Sequence, residues 1–358
     1  MSFPFLQPYA GLSNSLQTAQ AGGAAGIGGW VELGRSTLGS AGDTMEVTGL
    51  ADKRYLMLLS HRIASGSMQV NPRFNSDSGT NYSSRWANDG ASDSSHNTKN
   101  FMNNYVGWNT TEFNVSYVAN LAGKEKLMIG QTIADRGSGA GTANSRKESV
   151  HKWANTSNAI SEINMNNIET GSLDTGSELV VLGWTPDDTH TSNFWEQIGD
   201  VTSGGGVDSF DVTLDSDKRY LWIQIFTEAE SGTINPYLRV GDGSADNGNN
   251  YAQRYSTNGG SDSTLTSQSW IALDGVTPAT GETTFTNIFV INYSTQEKLM
   301  LIHSVESEAS GAGNAPSRLE TVAKWANTSG QIDTVELQNN AGSGNFSNKS
   351  QIRVWGAD

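Results

Sequence analysis

Along much of this chain apolar and polar residues alternate with a period of two, the spacing of a strand that turns one face into a core. Phe113, Val115 and Tyr117, separated by Asn114 and Ser116, are one example. In the first half the pattern predicts further strands over 44–47, 54–63, 68–74, 83–87, 125–133, 150–153, 160–165 and 179–182. Clusters of Gly, Asn, Asp and Ser separate them, as turn chemistry requires. No segment carries a sustained helical period. About eight short strands in a segment of this length imply a two-sheet sandwich of jelly-roll type.

The same pattern occurs twice. Residues 30–56 align without a gap onto 195–221, with Trp30, Gly34 and Asp52-Lys53-Arg54-Tyr55-Leu56 matching Trp195, Gly199 and Asp217-Lys218-Arg219-Tyr220-Leu221. Glu125-Lys126-Leu127-Met128 then matches Glu297-Lys298-Leu299-Met300, and Lys152-Trp153-Ala154-Asn155 matches Lys324-Trp325-Ala326-Asn327. Self-similarity of this kind marks a duplicated unit. The expected fold is therefore all-β: two tandem homologous jelly-roll-like β-sandwich domains preceded by an N-terminal arm. The expected divisions are an arm with a Gly/Ala-rich connector over 1–29, a first module over 30–184, a linker over 185–194 and a second module over 195–358.

Composition agrees with this reading. Of 358 residues 40 are Gly, 35% are hydrophobic and only 16% are charged. The net charge of −15 repels phosphate backbones, so nucleic acid is a poor partner. Cysteine is absent, which removes disulfides and thiolate metal sites. The N-terminus lacks the basic and apolar regions of a secretory signal, and no apolar run is long enough to insert in a membrane as a helix.

Catalytic patterns are missing. His61, His96, His151, His190 and His303 form no HExxH pair, His151 aligns with Ala323, and all five read as exposed or satisfied loop histidines. The Gly-rich Ser138-Gly139-Ala140-Gly141 lacks the Lys-Ser/Thr of a phosphate loop and reads as a tight turn. A non-enzymatic protein is expected, with no cofactor. The sharpest local alternative is a calcium site at Asp242, Ser244 and Asp246, which place oxygen ligands at alternate positions. A solvated turn is the competing reading, because the following glycine and distal glutamate of a calcium loop are missing.

Two other groups of residues stand out. Arg54 and Arg219, Arg85 and Arg254, and Trp153 and Trp325 recur at matching positions. They read as structural pairs: the tryptophans in cores, the arginines pinning strands through carboxylates such as Asp93 and Asp262. In the arm, Phe3, Phe5, Leu6, Tyr9 and Leu12 are apolar but broken by Pro4 and Pro8. They cannot build a core alone and are expected to dock on a neighbouring subunit or platform.

The stretches Asp52-Lys53-Arg54-Tyr55-Leu56, Asn235-Pro236-Tyr237-Leu238-Arg239-Val240 and Asn249-Asn250-Tyr251-Ala252-Gln253-Arg254-Tyr255, together with Phe3-Pro4-Phe5-Leu6-Gln7-Pro8-Tyr9, resemble tandem-repeat β-sandwich virion structural proteins of marine phages and viruses. That resemblance implies a capsid decoration, head fibre or tail appendage, made in the host cytoplasm and incorporated in the virion. Its partners would be itself, with a trimer as the expected homo-oligomer, and other virion proteins such as the capsid. The family offers no functional residues to carry over. The alternatives are a tandem jelly-roll major capsid protein and an adhesion module that binds host-surface glycans.

Overall fold

The computed structural model describes residues 29–107, 109–190, 192–273, 278–309, 311–341 and 343–358. The docking residues of the arm, Phe3, Phe5, Leu6, Tyr9 and Leu12, lie outside them. The described residues are all-β, with antiparallel pairing throughout and no helix.

In the N-terminal half an eight-stranded sheet runs in the order Val31–Thr37, Glu178–Trp184, Tyr55–Arg62, Thr111–Ala119, Lys126–Asp135, Ser145–Trp153, Tyr82–Asn88, Ser94–Lys99. A smaller sheet of Thr44–Thr48, Glu162–Asn167 and Val70–Phe74 packs on one side of it. The C-terminal half repeats that order: Glu196–Thr202, Gln351–Ala357, Tyr220–Ser231, Thr283–Ile291, Lys298–Glu306, Ser317–Trp325, Tyr251–Thr257, Ser263–Gln268. Its smaller sheet is Ser209–Thr213, Thr334–Asn339, Pro236–Gly241 and Ile271–Ala272. Among the described residues no hydrogen-bonded strand pair joins the two halves.

Each half closes its own core. Leu56, Leu58, Met128 and Trp153 meet Met45 and Ile163 in the first. Leu221, Ile223, Met300 and Trp325 meet Val212 and Val335 in the second. The repeated tryptophans and the candidate calcium loop belong to one device. Trp325 Nε1 donates to Asp246 Oδ2 at 2.7 Å, and Trp153 Nε1 donates to Asp77 Oδ2 at 2.7 Å. Gly248 N and Asn250 Nδ2 also donate to the Asp246 carboxylate. Burial pushes that carboxyl up, but these donors outweigh it and hold it low. The Asp246 oxygens thus satisfy a buried indole and a turn.

Both halves break register at the same place, between Glu32 and Gly34 and between Gln197 and Gly199. A Cβ on Gly34 would lie 2.5 Å from Val47 Cγ1, and one on Gly199 2.8 Å from Leu214 Cδ2. Glycine lets the bulged strand lie directly on the second layer.

The two interiors differ at one end. In the N-terminal half Arg62 and Glu112 form a buried ion pair at 3.1 Å, and Lys147 lies buried beside them. Lys147 Nζ donates to Tyr105 O at 2.8 Å and to Asn103 Oδ1, over the Trp86 ring. Burial, with help from Arg62 and against Glu112, lowers the Lys147 ammonium to about 7. At the matching positions the C-terminal half carries Thr227, Thr284 and Leu319. His61 and His151, expected in loops, are instead buried within strands, and burial lowers them to about 4 and about 3. His151 Nδ1 is hydrogen-bonded to Ser84 Oγ at 2.7 Å.

Candidate functional site

The strands of both large sheets are apolar on both faces, as the unbroken runs Leu56-Met57-Leu58-Leu59 and Leu299-Met300-Leu301-Ile302 require. Inward residues fill the two cores already described. Outward residues meet one another and form a third core between the halves: Met57, Leu59 and Phe113 from the first, Phe289, Leu301 and Val322 from the second. This junction is the most distinctive feature of the molecule.

Ion pairs rim it. Arg219 binds Glu178 at 2.8 Å, Lys324 binds Asp135 at 2.8 Å, and Arg146 binds Asp262 at 2.7 Å. Glu178 is fully buried and also accepts from Thr37 Oγ1 and from the Tyr220 hydroxyl. Burial raises its carboxyl, but those donors and the two arginines, Arg219 and Arg35, hold it below the usual carboxylate value. Arg254 Nε donates to Asn144 O at 2.8 Å and lies 3.3 Å from Asp89.

Two contacts join matching positions of the two halves. Gln131 Nε2 donates to His303 Nε2, and Glu148 and Glu320 share a hydrogen bond. Arg146 NH1 bonds Glu148 Oε1 and lies 3.4 Å from Glu320, while Arg318 holds Glu320 at 2.8 Å. Burial and the neighbouring Glu320 charge raise Glu148 against the pull of Arg146. Glu148, His303 and Glu320 bring three ligand atoms within 4.8 Å of one another, the only such group among the described residues. Two guanidiniums already occupy the carboxylates and Gln131 occupies the imidazole, so the donor set is better suited to a charge-balanced lock than to a cation.

Beside this cluster opens a groove of about 280 Å³, lined by Arg85, Trp86, Ile129, Val150, His303 and Glu320. Its N-terminal wall is an uncovered sheet face. Tyr117, Ile129 and Val150 sit in register on three neighbouring strands. Their counterparts Phe289, Leu301 and Val322 sit in the same register and are covered by the junction. Ile129 is 63% exposed where Leu301 is 3%, and Leu127 is 54% exposed where Leu299 is 1%. One half has its face covered and the other does not.

The repeated arginines follow that asymmetry. Arg85 and Asp93 pair at 3.5 Å on the surface, and Arg254 lies 3.8 Å from Asp262 inside the junction. Arg54 is exposed, whereas its counterpart Arg219 grips Glu178 of the other half. Arg85 and Arg254 keep matching acids, Asp93 and Asp262, as neighbours, while Arg219 and Arg254 add Glu178 and Asp89 from the opposite half. Asp135 and Glu178 have Ser307 and Gln351 at their matching positions.

No family model matches the chain, and no curated protein matches it. Among solved structures, domains LG4-5 of the mouse laminin alpha1 chain are similar at 12% identity, covering 92% of this chain and 90% of that one, with a TM-score of 0.18. OccK9 (OpdG) of Pseudomonas aeruginosa follows at 10% identity, covering 84% and 97%, with a TM-score of 0.12. A BenF-like porin from Pseudomonas fluorescens Pf-5 has 7% identity over 86% and 98%, with a TM-score of 0.12.

Proposed function

We propose that this chain is a non-enzymatic structural subunit that acts by association, incorporated in a virion as its resemblance implies, as a capsid decoration, head fibre or tail appendage. One observation carries the reading. The N-terminal half leaves open an apolar sheet face whose counterpart in the C-terminal half is covered within the chain. Contiguous exposed apolar surface of this kind marks a docking site. The charged groups that converge at the groove are neutralised by one another, a state suited to holding surfaces together. Self-association and docking on other virion proteins are the uses this surface fits.

Sedimentation velocity of the full-length chain over a wide concentration range tests the reading. The expected result is a mass that rises with concentration beyond the monomer. A single monomeric species at every concentration, or turnover of a polysaccharide by the purified chain, contradicts it.

A further inference from the structure

Six of the eight large apolar side chains most exposed among the described residues lie on the outward faces of the two large sheets: Tyr117, Leu127, Ile129 and Val150 on the first, Phe285 and Val305 on the second. The four on the first sheet form one patch, in register across neighbouring strands. What covers the equivalent patch in the C-terminal half is known from the junction: an apolar surface, seated directly on the side chains.

The chain holds one segment of matching chemistry outside the described fold. Residues 1–28 contain no Asp, Glu, Lys, Arg or His, although 16% of the whole chain is charged. Phe3, Phe5, Leu6, Tyr9 and Leu12 concentrate the apolar surface of that segment at its start. Pro4 and Pro8 interrupt that apolar run. The segment enters the fold at the edge of the open patch, for the Trp30 ring packs against Tyr117 with centroids 6.3 Å apart. A Gly/Ala-rich connector of about ten residues can reach roughly 35 Å when extended, enough to leave one subunit and meet the next.

We infer that the Tyr117–Leu127–Ile129–Val150 face seats the N-terminal arm of a second copy of this chain. The inference rests on the association reading above and names the contact that would make it. Each chain then supplies one arm and one seat. Such a head-to-tail contact is heterologous, and it closes into a ring, a trimer included, when the rotation per subunit permits. The arm contributes apolar side chains without charge, so the seat at the groove keeps its own ion pairs undisturbed.

The absence of cysteine makes the test direct. Two full-length chains, Gln7→Cys in the arm and Lys152→Cys at the rim of the face, leave the apolar residues in place. Mixed and mildly oxidised, they are expected to give a disulfide-linked heterodimer well above the yield of either chain alone. They should also exceed the yield with Ile168→Cys, an exposed apolar position away from this face. A chain carrying both Gln7→Cys and Lys152→Cys should link into covalent multimers. Linking of that double variant only within single chains overturns the inference, since the arm then folds back on its own subunit. Yields no higher than the Ile168→Cys control, or linkage of Lys152→Cys chains to one another, overturn it as well. If the wild-type chain associates and these links fail, only the arm-and-seat pairing falls; if it never associates, the functional reading falls with it.

Discussion

Replacing Arg62 by methionine is expected to destabilise the protein by about 3–5 kcal/mol, the usual cost of stranding one member of a buried ion pair. Arg62 and Glu112 are both buried, and Arg62 NH1 also donates to Val70 O and Asn104 O. Glu112 would keep the backbone donors Val106 N at 2.7 Å and Gly107 N at 3.2 Å, but no permanent cation. Lys147 is a positive group coupled to both Glu112 and Arg62. Burial first and Arg62 second depress it to about 7, so removing Arg62 lets it take up a proton beside Glu112. The deficit should therefore be smaller at pH 7 than at pH 10, where Lys147 is neutral in both proteins. Adding Glu112→Leu should restore part of the loss. Urea unfolding of the three proteins at the two pH values reads all of this. A loss that is the same at both pH values would show that Lys147 does not sense Arg62.

The second large effect is expected at the junction. Arg146→Met removes the cation that Asp262, Glu148 and Glu320 share, two of them little exposed and one partly so. A loss of about 3 kcal/mol is expected near neutral pH, at the lower end for a buried pair because Glu148 is partly solvated. Without Arg146 the Glu148 carboxyl, already raised by burial and by the Glu320 charge, rises further above its unfolded value. A raised folded pKa favours the folded state at low pH and disfavours it once the pH passes that pKa. The deficit should therefore grow as the pH rises through that raised value toward neutrality, and shrink as the pH falls toward the ordinary carboxylate range. Unfolding curves for the variant and parent between about pH 4 and 7.5 decide it. A deficit independent of pH would place the role of Arg146 in packing alone.

Much of this architecture was legible in the residues. Alternation located most strands, and the collinear matches from Trp30 and Trp195 onward carried through to an identical strand order. The core role of Trp153 and Trp325 followed from their repetition, though not their partners. Asp77 and Asp246 lie far from them in sequence, and the turn around Asp246 offered only a solvated turn or a weak calcium site as readings. The junction was harder to see. Leu127-Met128-Ile129 and Leu299-Met300-Leu301 read alike, yet one outward face is open and the other covered. The difference depends on what the opposite half presents, and a single-strand pattern holds no record of that. Two signals were nevertheless present. Unbroken apolar runs such as Leu179-Val180-Val181-Leu182 demand cover on both faces of a sheet. Acids kept in one half, Glu178 and Asp135, are replaced in the other by Gln351 and Ser307. His61 and His151 read as loop histidines because a buried, uncharged imidazole fits the strand pattern only when its neighbours in space are known.

Scanning calorimetry of the full-length chain, with and without Leu301→Glu, bears most directly on the third apolar core that unites the halves. The wild-type protein should unfold in one cooperative transition, and Leu301→Glu should lower it and split it in two as the halves lose their common interior. Two separate transitions already in the wild type, only one of them moved by the substitution, would mean that the halves are independent bodies and that the junction does not exist in solution.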